Sequence, residues 1–354
     1  MIIRKLKLKL NKSQEQTLVS WLWNLTGVYN WSIRKIELDA QNKIYYSGFD
    51  FQNFLSGHSD KMGIPSHVLQ GTLKQAHNAW SRCFKKIAKK PRLKSIRNKL
   101  NSIPFPDPIR SPKGNRINIL GLKGLKFHKQ ELPEGKIKLG RIIKRPSGWY
   151  LCLWIDTIHT FPVKETEKTV GIDPGFSTLL TLSDGTKIEN PRELRKGEDR
   201  LAQAQRGGRK KLAARLQERQ ANRRLDRNHK ISRKLVENYK TIYYSDDNFK
   251  GLQKLFGKSV AEASLSNLIG MLNYKGRLGG RDVIPVNSRN TTMTCLTCWS
   301  LTGPTGLNGL AVRHWQCLSC GDFHDRDINS ARVIANVGSG FDLGVLELSV
   351  IGGR

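Results

Sequence analysis

The sequence predicts an α/β protein built from several domains. Its 354 residues suffice for two or three packed units at about 150 residues per domain. Strand-like runs and helical periods alternate along the chain, and four of the six cysteines fall into two C-x-x-C pairs. Lys and Arg outnumber Asp and Glu by 61 to 29, and the excess is spread over most of the chain. This charge favours an extended polyanionic partner, nucleic acid first, although charge alone also allows a ribosomal-type or simply basic soluble protein.

The first half predicts a small β-barrel interrupted by helices. Residues 4–10 alternate Leu and Lys, the period of a strand with one basic face. Helical spacing begins at a possible N-cap, Ser13, and continues to about Lys90 with a break at 63–65. Strand-like runs return at 117–120, 136–144 and 149–155, the last two forming a hairpin. We therefore expect residues 1–10 and 106–165 to form the barrel, with 11–105 inserted as helices.

The second half has the order of an RNase H-like α/β sheet. Strands are predicted at 169–173, 178–182 and 186–188, the latter two joined by the turn Asp184-Gly185. A long helical region follows. Strand signals at 241–244 and 282–286 then flank a helix around 259–275. Strand, hairpin, helix, strand, helix, strand is the RNase H-like order.

Two strongly basic segments are candidate phosphate-binding surfaces. Residues 82–99 carry nine Lys or Arg and no acid, and residues 206–234 carry twelve against two acids. A solvated helix face is the alternative for the first segment; for the second, ordinary helix packing on the opposite face is compatible with binding. The candidate contacts are Arg82, Lys85, Lys86, Lys89, Lys90, Arg92, Lys94, Arg97, Arg209, Lys210, Lys211, Arg223, Arg224 and Arg227.

The cysteine pairs predict a structural zinc ribbon. Their spacing is Cys295-x2-Cys298-x18-Cys317-x2-Cys320. Four thiolates complete the tetrahedral shell of Zn²⁺ and leave no position for a reactive water. His314 and His324 are therefore expected at the surface or facing nucleic acid, not as ligands. The remaining two cysteines, Cys83 and Cys152, are expected to be inert packing residues.

Asp173 and Asp327 are candidate magnesium ligands. Asp173 ends a predicted strand, and Asp327 follows the cysteine region within Asp325-Arg326-Asp327. Nucleases of this fold hold two Mg²⁺ ions with three or four carboxylates from neighbouring elements. Taken alone, a strand-end Asp is more often a turn or cap residue.

An ordered set of short motifs gives these residues a family context. The motifs are Val170-Gly171-Ile172-Asp173, Ser183-Asp184-Gly185, Asn190-Pro191-Arg192, Asn228-His229-Lys230-Ile231-Ser232, Tyr274-Lys275, Thr291-Thr292, Thr302-Gly303-Pro304-Thr305-Gly306-Leu307, Cys320-Gly321, His324-Asp325-Arg326-Asp327 and Asn329. Together they span about residues 168–336 and resemble TnpB, the RNA-guided nuclease of small insertion sequences that is similar to compact Cas12 effectors.

The resemblance implies a domain plan. The barrel corresponds to a wedge domain interrupted by a helical recognition domain. Residues 166–290 and 324–337 correspond to a RuvC-like nuclease domain, and residues 291–323 to the inserted zinc ribbon. Residues 338–354 remain as a C-terminal tail with no assigned role.

The resemblance also implies partners and catalytic residues. A monomer would bind one guide RNA and double-stranded target DNA beside a short adjacent motif. Asp173 matches the family's first catalytic Asp and Asp327 its last.

Neither a run of 18 apolar residues nor a signal-peptide pattern occurs, so we expect no membrane partner and a cytoplasmic, nucleoid-associated bacterial protein.

The sequence departs from the family at the catalytic Glu. Most members carry it at the position of Ser245, and one branch carries it at the position of Ser288. A serine hydroxyl cannot supply the charge that holds a second ion, so Mg²⁺ binding should be weakened. The pattern resembles the nuclease-dead TnpB-like repressors called TldR. We therefore expect RNA-guided DNA binding that represses transcription.

Two rival functions remain open at this level. The first is an active Mg²⁺-dependent nuclease with a surrogate acid. Asp246 is expected on the opposite strand face, Asp247 about 6.6 Å too far along a continued strand, and Glu262 in either direction. The second rival is a basic zinc protein that binds nucleic acid without a guide.

Overall fold

The computed structural model describes residues 1–157, 161, 163–309 and 311–340. The chain divides into two compact units, Met1–His159 and Thr160–Arg354. Most of the expected C-terminal tail, residues 341–354, lies outside the described residues. Within the described ranges, no helix combines the length and the apolar character needed to cross a membrane.

The N-terminal unit contains a six-stranded antiparallel sheet. Its strands are β1 (Ile2–Lys9), β2 (Ser102–Phe105), β3 (Arg116–Ile119), β4 (Leu122–Phe127), β5 (Lys136–Arg145) and β6 (Gly148–Asp156). Their spatial order is β2-β5-β6-β1-β4-β3. The hairpin predicted from 136–155 is confirmed as β5–β6, with Arg145 opposite Gly148. β1 pairs with β6 and then, through Leu8 and Lys9, with β4.

The helices of this unit lie between β1 and β2 in the sequence. They are α1 (Lys12–Gln41), α2 (Gly48–Asn53), α3 (Ser59–Met62) and α4 (Ser66–Phe84). Asn11 caps α1 through a capping box with Gln14, so the expected cap at Ser13 is wrong. The helix expected to reach Lys90 ends at Phe84, because Lys86 adopts a left-handed conformation with φ 57°. Residues 102–105, expected in the helical insertion, form a sheet strand instead.

The C-terminal unit is built on a mixed five-stranded sheet. Its strands are β7 (Thr169–Pro174), β8 (Thr178–Leu182), β9 (Lys187–Glu189), β10 (Thr241–Ser245) and β11 (Asp282–Val286). The order is β11-β10-β7-β8-β9, with β10 parallel to both neighbours and β7, β8 and β9 antiparallel in turn. The predicted succession of strands and helices is therefore confirmed. The central strand β7 brings Asp173 to the carboxyl end of the sheet.

Helices and a small hairpin complete this unit. They are α5 (Glu193–Lys196), α6 (Glu198–Arg206), α7 (Lys210–Asn238), α8 (Phe249–Ala263), α9 (Leu265–Leu278), α10 (Gly306–Gly309), β12 (His314–Gln316), β13 (Phe323–Asp325) and α11 (Arg326–Gly338). α11 packs directly on β7 at Gly171, where an added Cβ would lie 2.1 Å from the Ala331 carbonyl oxygen. Only glycine permits this approach, which places the start of α11 at the end of β7.

Candidate functional site

Asp173 and Asp327 meet at the end of the central strand. Asp173 is half-buried near the end of β7, and Asp327 lies in the first turn of α11. Asp325 caps this helix by accepting hydrogen bonds from the backbone N–H groups of Asp327 (3.1 Å) and Ile328 (3.0 Å). Burial, reinforced by repulsion from Asp327 and Asp247, raises the pKa of Asp173 to about 8. Both carboxylates therefore lie within electrostatic reach of Asp173.

Ser245 occupies the strand position beside Asp173. β10 runs parallel to β7 with Tyr244 opposite Ile172, and Ser245 and Asp173 follow these two residues. The Ser245 side chain is buried, and its Oγ donates a 2.8 Å hydrogen bond to Oδ2 of Asp247. The position where the sequence resemblance expects the usual Glu therefore holds a hydroxyl that binds a carboxylate two residues further on.

The strand does not continue to Asp247, so the displacement expected for a continued strand does not apply. The expected displacement of about 6.6 Å assumed that the strand continues past Ser245. β10 ends at Ser245, and the chain turns there, with the Phe249 N–H donating to the Asp247 carbonyl oxygen at 2.8 Å. This turn returns the Asp247 side chain to Ser245.

The other two surrogate acids are held elsewhere. Asp246 is exposed, and its N–H donates to the Val286 carbonyl oxygen at 2.9 Å. Glu262 is buried and accepts from the Arg195 backbone N–H at 3.2 Å, while its second oxygen lies 3.3 Å from Nε of Arg195. Ser288 lies two residues after β11, where its carbonyl oxygen accepts the Oγ1–H of Thr291 at 3.0 Å. Among the surrogates, Asp247 is the carboxylate whose charge raises the Asp173 pKa.

The three aspartates interact electrostatically, but among the described residues the side chains placed close enough to share a metal ion are four cysteines and not these acids. Carboxylate oxygens are the ligands that Mg²⁺ prefers. The buried Ser330 hydroxyl lies one turn after Asp327, on the same face of α11. Arg313 lies 3.4 Å from Asp327 and partly balances its charge.

The four predicted zinc ligands come together. Their sulfur atoms lie within 4.8 Å of one another, with Sγ separations of 3.7 Å for Cys295–Cys320 and 3.5 Å for Cys298–Cys317. A tetrahedron with Zn–S bonds of about 2.3 Å requires S–S separations of about 3.8 Å. The cluster could therefore hold a metal ion such as Zn²⁺. Although burial opposes the effect, hydrogen bonds from Ser300 and Thr302 lower the pKa of Cys317 to about 5.

The environments of the two histidines differ. His324 is buried, packs against Trp315 in a tilted arrangement with ring centroids 4.8 Å apart, and places Nε2 3.0 Å from Sγ of Cys295. The expectation that it faces the surface is therefore wrong. His314 is exposed and stacks on Phe323 at 6.1 Å.

The remaining two cysteines fit their expected packing role. Cys152 is buried, and burial raises the pKa of its thiol. Cys83 is half-buried against the apolar core of its unit.

Most of the predicted basic contacts are exposed. In the first segment these are Arg82, Lys85, Lys86, Lys89, Lys90, Arg92 and Arg97; in the second they are Arg209, Lys210, Lys211 and Arg223. Lys90 forms an ion pair with Glu37, and the half-buried Lys94 places Nζ 5.8 Å from the Tyr29 ring centroid. Arg224 is half-buried. The exposed side chains can contact phosphate without rearranging the fold.

Arg227 differs from the other predicted contacts because it points into its own unit. Its guanidinium donates to Glu193 Oε2 at 3.1 Å and to Asn190 Oδ1 at 3.4 Å. It also donates to the carbonyl oxygens of Glu262 (3.4 Å) and Ala263 (2.7 Å), the last two residues of α8. A cation at a helix C-terminus satisfies its unpaired carbonyls. Arg227 is therefore a structural residue, and a run of basic letters could not distinguish it from exposed neighbours.

Comparisons with known proteins agree with the sequence resemblance. Residues 266–334 match the Cas12f1-like TNB domain model, and residues 153–255 match the OrfB_IS605 model, described as a "Probable transposase". A candidate RNA-guided DNA endonuclease of Streptomyces pristinaespiralis is 31% identical over 78% of this chain and 72% of its own. The candidate RNA-guided DNA endonuclease InsQ of Escherichia coli (strain K12) is 26% identical over 77% of this chain and 75% of its own.

A solved structure shows a weaker likeness. The Cas12f1 chain in a complex with sgRNA and target DNA aligns with 95% of this chain and 99% of its own, at 16% identity and a TM-score of 0.39.

Proposed function

Because this chain belongs to the TnpB family, with relatives named RNA-guided DNA endonucleases, we propose that it is an RNA-guided DNA-binding protein with weakened cutting. A guide RNA would pair with one strand of a double-stranded target, and the protein would read a short adjacent motif. The bound protein would then repress transcription of the DNA that it occupies. The observation that carries the weakened cutting is the buried serine hydroxyl of Ser245 beside Asp173, where the family's usual Glu would stand.

The domain assignments belong to this proposal. Residues 1–10 and 106–165, with β2 added, would form the wedge domain, and the helices between them the recognition domain. The sheet around β7 and helix α11 would form the RuvC-like domain, and the four-cysteine segment a zinc ribbon. The exposed Lys and Arg side chains of residues 82–99 and 206–234 would contact nucleic acid. We propose a bacterial cytoplasmic monomer on one guide RNA.

The metal chemistry follows from the donor set. Asp173, Asp327 and Asp247 offer hard oxygen ligands for one Mg²⁺ ion, which would activate water, whereas the second ion that would stabilise the leaving oxygen lacks the family's Glu. The protein's own part is to hold these carboxylates in place. Asp325 fixes the start of α11, and Ser245 orients Asp247.

The test separates binding from cutting. The protein is purified with its native guide RNA, and target binding and plasmid cleavage are measured on the same preparation. We expect guide-dependent, salt-sensitive binding with little cleavage, and Ser288→Glu, or failing that Ser245→Glu, to increase cleavage. Equally tight binding without any guide would refute guided recognition, and efficient cutting by the unmodified protein would refute weakened catalysis.

An active endonuclease is a second candidate function, favoured by the position of Asp247. Its carboxylate is held by Ser245 and reaches Asp173 electrostatically, so it offers a third acid near the pair. If it serves as the missing Glu, Asp247→Ala should abolish Mg²⁺-dependent cleavage, while exposed Asp246→Ala leaves it intact. Equal cleavage by both variants would exclude this candidate.

A further inference from the structure

A cavity in the N-terminal unit lies between the two outer strands of its sheet. β2 and β3 occupy the two ends of the strand order. The cavity has a volume of about 690 Å³. It is lined by residue 105 at the end of β2, by residues 107–111 and 113 of the segment after it, and by residues of β3, β4 and their connection. Sites for small molecules have volumes of about 300–1,000 Å³. A nucleotide-sized ligand would therefore fit.

The cavity combines an apolar interior with a basic rim. Phe105, Ile109 and Ile119 line it and are buried. The exposed basic residues Arg110, Lys113 and Arg116 also line it. An apolar wall beside clustered cations suits a ligand with one flat apolar part and one anionic part.

Backbone pairing holds two of the cations next to each other. Lys113 and Arg116 exchange backbone hydrogen bonds of 2.9 Å and 3.1 Å across a tight turn. The acid in the lining, Asp107, lies 2.5 Å from Nδ1 of His67. This hydrogen bond occupies one oxygen of the Asp107 carboxylate.

Asn118 adds a polar group in a fixed orientation. Its Oδ1 accepts the Gly124 N–H at 2.7 Å across the β3–β4 connection, and both residues line the cavity. The carboxamide is thereby oriented with its NH₂ group left as a donor. Such a donor suits the ring or carbonyl acceptors on the edge of a nucleobase.

We propose that this cavity binds one unpaired nucleotide of a nucleic-acid strand, with its base against the apolar wall and its phosphate on Arg110, Lys113 and Arg116. The inference rests on the proposed function only for the identity of the strand. The guide RNA and the target DNA offer the same nucleotide chemistry, and the experiment distinguishes them.

The test is photocrosslinking in the assembled complex. One arm carries 4-thiouridine at each uridine of the guide RNA, and the other carries 5-iododeoxyuridine in the target DNA. After irradiation, crosslinked peptides are mapped by mass spectrometry. We expect crosslinks within residues 105–124 in one arm, and that arm identifies the strand. No crosslink to these residues in either arm, while guided binding persists, would overturn the proposal.

Three variants separate the cavity from general surface charge. Ser111→Trp would obstruct the lining without changing charge and should reduce the crosslink at least tenfold. The double variant Arg110→Glu/Arg116→Glu should do the same and lower the salt slope of binding by about 0.7, the value for one phosphate contact on a single strand. Lys136→Glu/Arg145→Glu makes the same charge change at exposed positions of β5 and should retain the crosslink. Equal loss in this control would overturn the assignment.

Failure of the proposed function gives a different result. A chain that binds no guide RNA would refute guided recognition. The cavity is then tested with short oligonucleotides carrying the same photoreactive bases, in place of the guide. Crosslinking within 105–124 that Ser111→Trp removes would support the cavity, and its absence would overturn it.

Discussion

Replacing Arg227 should destabilise the C-terminal unit, whereas replacing Arg223 four residues earlier should not. Arg227→Ala removes a guanidinium that joins α7 to Glu193 and to the last carbonyls of α8. The side chains of Arg227 and Glu193 are only 11% and 13% exposed, so little solvent screens the loss. Arg223 is exposed on the same helix.

The expected magnitude follows from this burial. Breaking one partner of a buried ion pair costs about 3–5 kcal/mol. Because both side chains keep some exposure, we expect the lower end, about 3 kcal/mol. Arg223→Ala should change stability by less than about 0.5 kcal/mol, as exposed substitutions usually do. It should instead weaken RNA binding.

Hydrogen–deuterium exchange localises the effect. A loss of about 3 kcal/mol should speed exchange of the protected α7 and α8 amides by roughly 100-fold. Arg227→Lys keeps the charge but not the planar fork, so it should fall between Ala and the wild type. If Arg227→Ala exchanges at nearly the wild-type rate and loses RNA affinity as Arg223→Ala does, Arg227 is a nucleic-acid contact and the structural reasoning is wrong.

Three further outcomes are expected. Purified protein should contain one equivalent of zinc by elemental analysis. Cys317→Ser should lose it, while Cys152→Ser, at a buried cysteine outside the four-cysteine cluster, should keep it; zinc retained by Cys317→Ser would contradict the four-thiolate site. Burial lowers the pKa of Lys275 to about 8. The unfolded chain therefore binds more protons between about pH 8 and 10.5, and the free energy of unfolding in urea should rise with pH across that window; an equal slope in Lys275→Met would assign it to another group. Gly171→Ala should lower the thermal midpoint because its Cβ would lie 2.1 Å from the α11 backbone. The control Gly270→Ala has open space around the new Cβ inside α9 and should raise the free energy of unfolding by about 0.5–1 kcal/mol. Similar midpoints for the two variants would refute the close approach.

Local patterns in the sequence predicted the sheets well. The alternation of Leu6 and Leu8 with Lys residues correctly indicated a strand with one buried face. The strand succession of the C-terminal unit and the approach of the four cysteines were also predictable, because both depend on short-range periodicity and spacing. β2 and β4 were missed because Pro104 lies inside the first and Gly124 inside the second, and proline and glycine weaken a strand pattern.

Features that depend on where an element ends, or on contacts between residues distant in sequence, were not predictable. The position of Asp247 depends on where β10 ends, and the strand boundary at Ser245 is not encoded by a Gly or Pro. The inward turn of Arg227 depends on the end of α8, which is distant in sequence. The cavity depends on how the β2–β3 connection lies against β3 and β4, which the sequence does not show. The closely spaced basic residues Arg110, Lys113 and Arg116 were the visible sign of an anion-binding site.

The packing of α11 on β7 also sets an order of events during synthesis. The basic residues of 82–99 and most of the sheet are made well before α11, which supplies the last of the three aspartates. Roughly 150 residues separate Asp173 from Asp327, or about 8–30 s of translation at 5–20 residues per second. A nascent chain can therefore expose its basic segments before Asp327 has been made. A chain interrupted before residue 326 would contain both basic segments and lack Asp327.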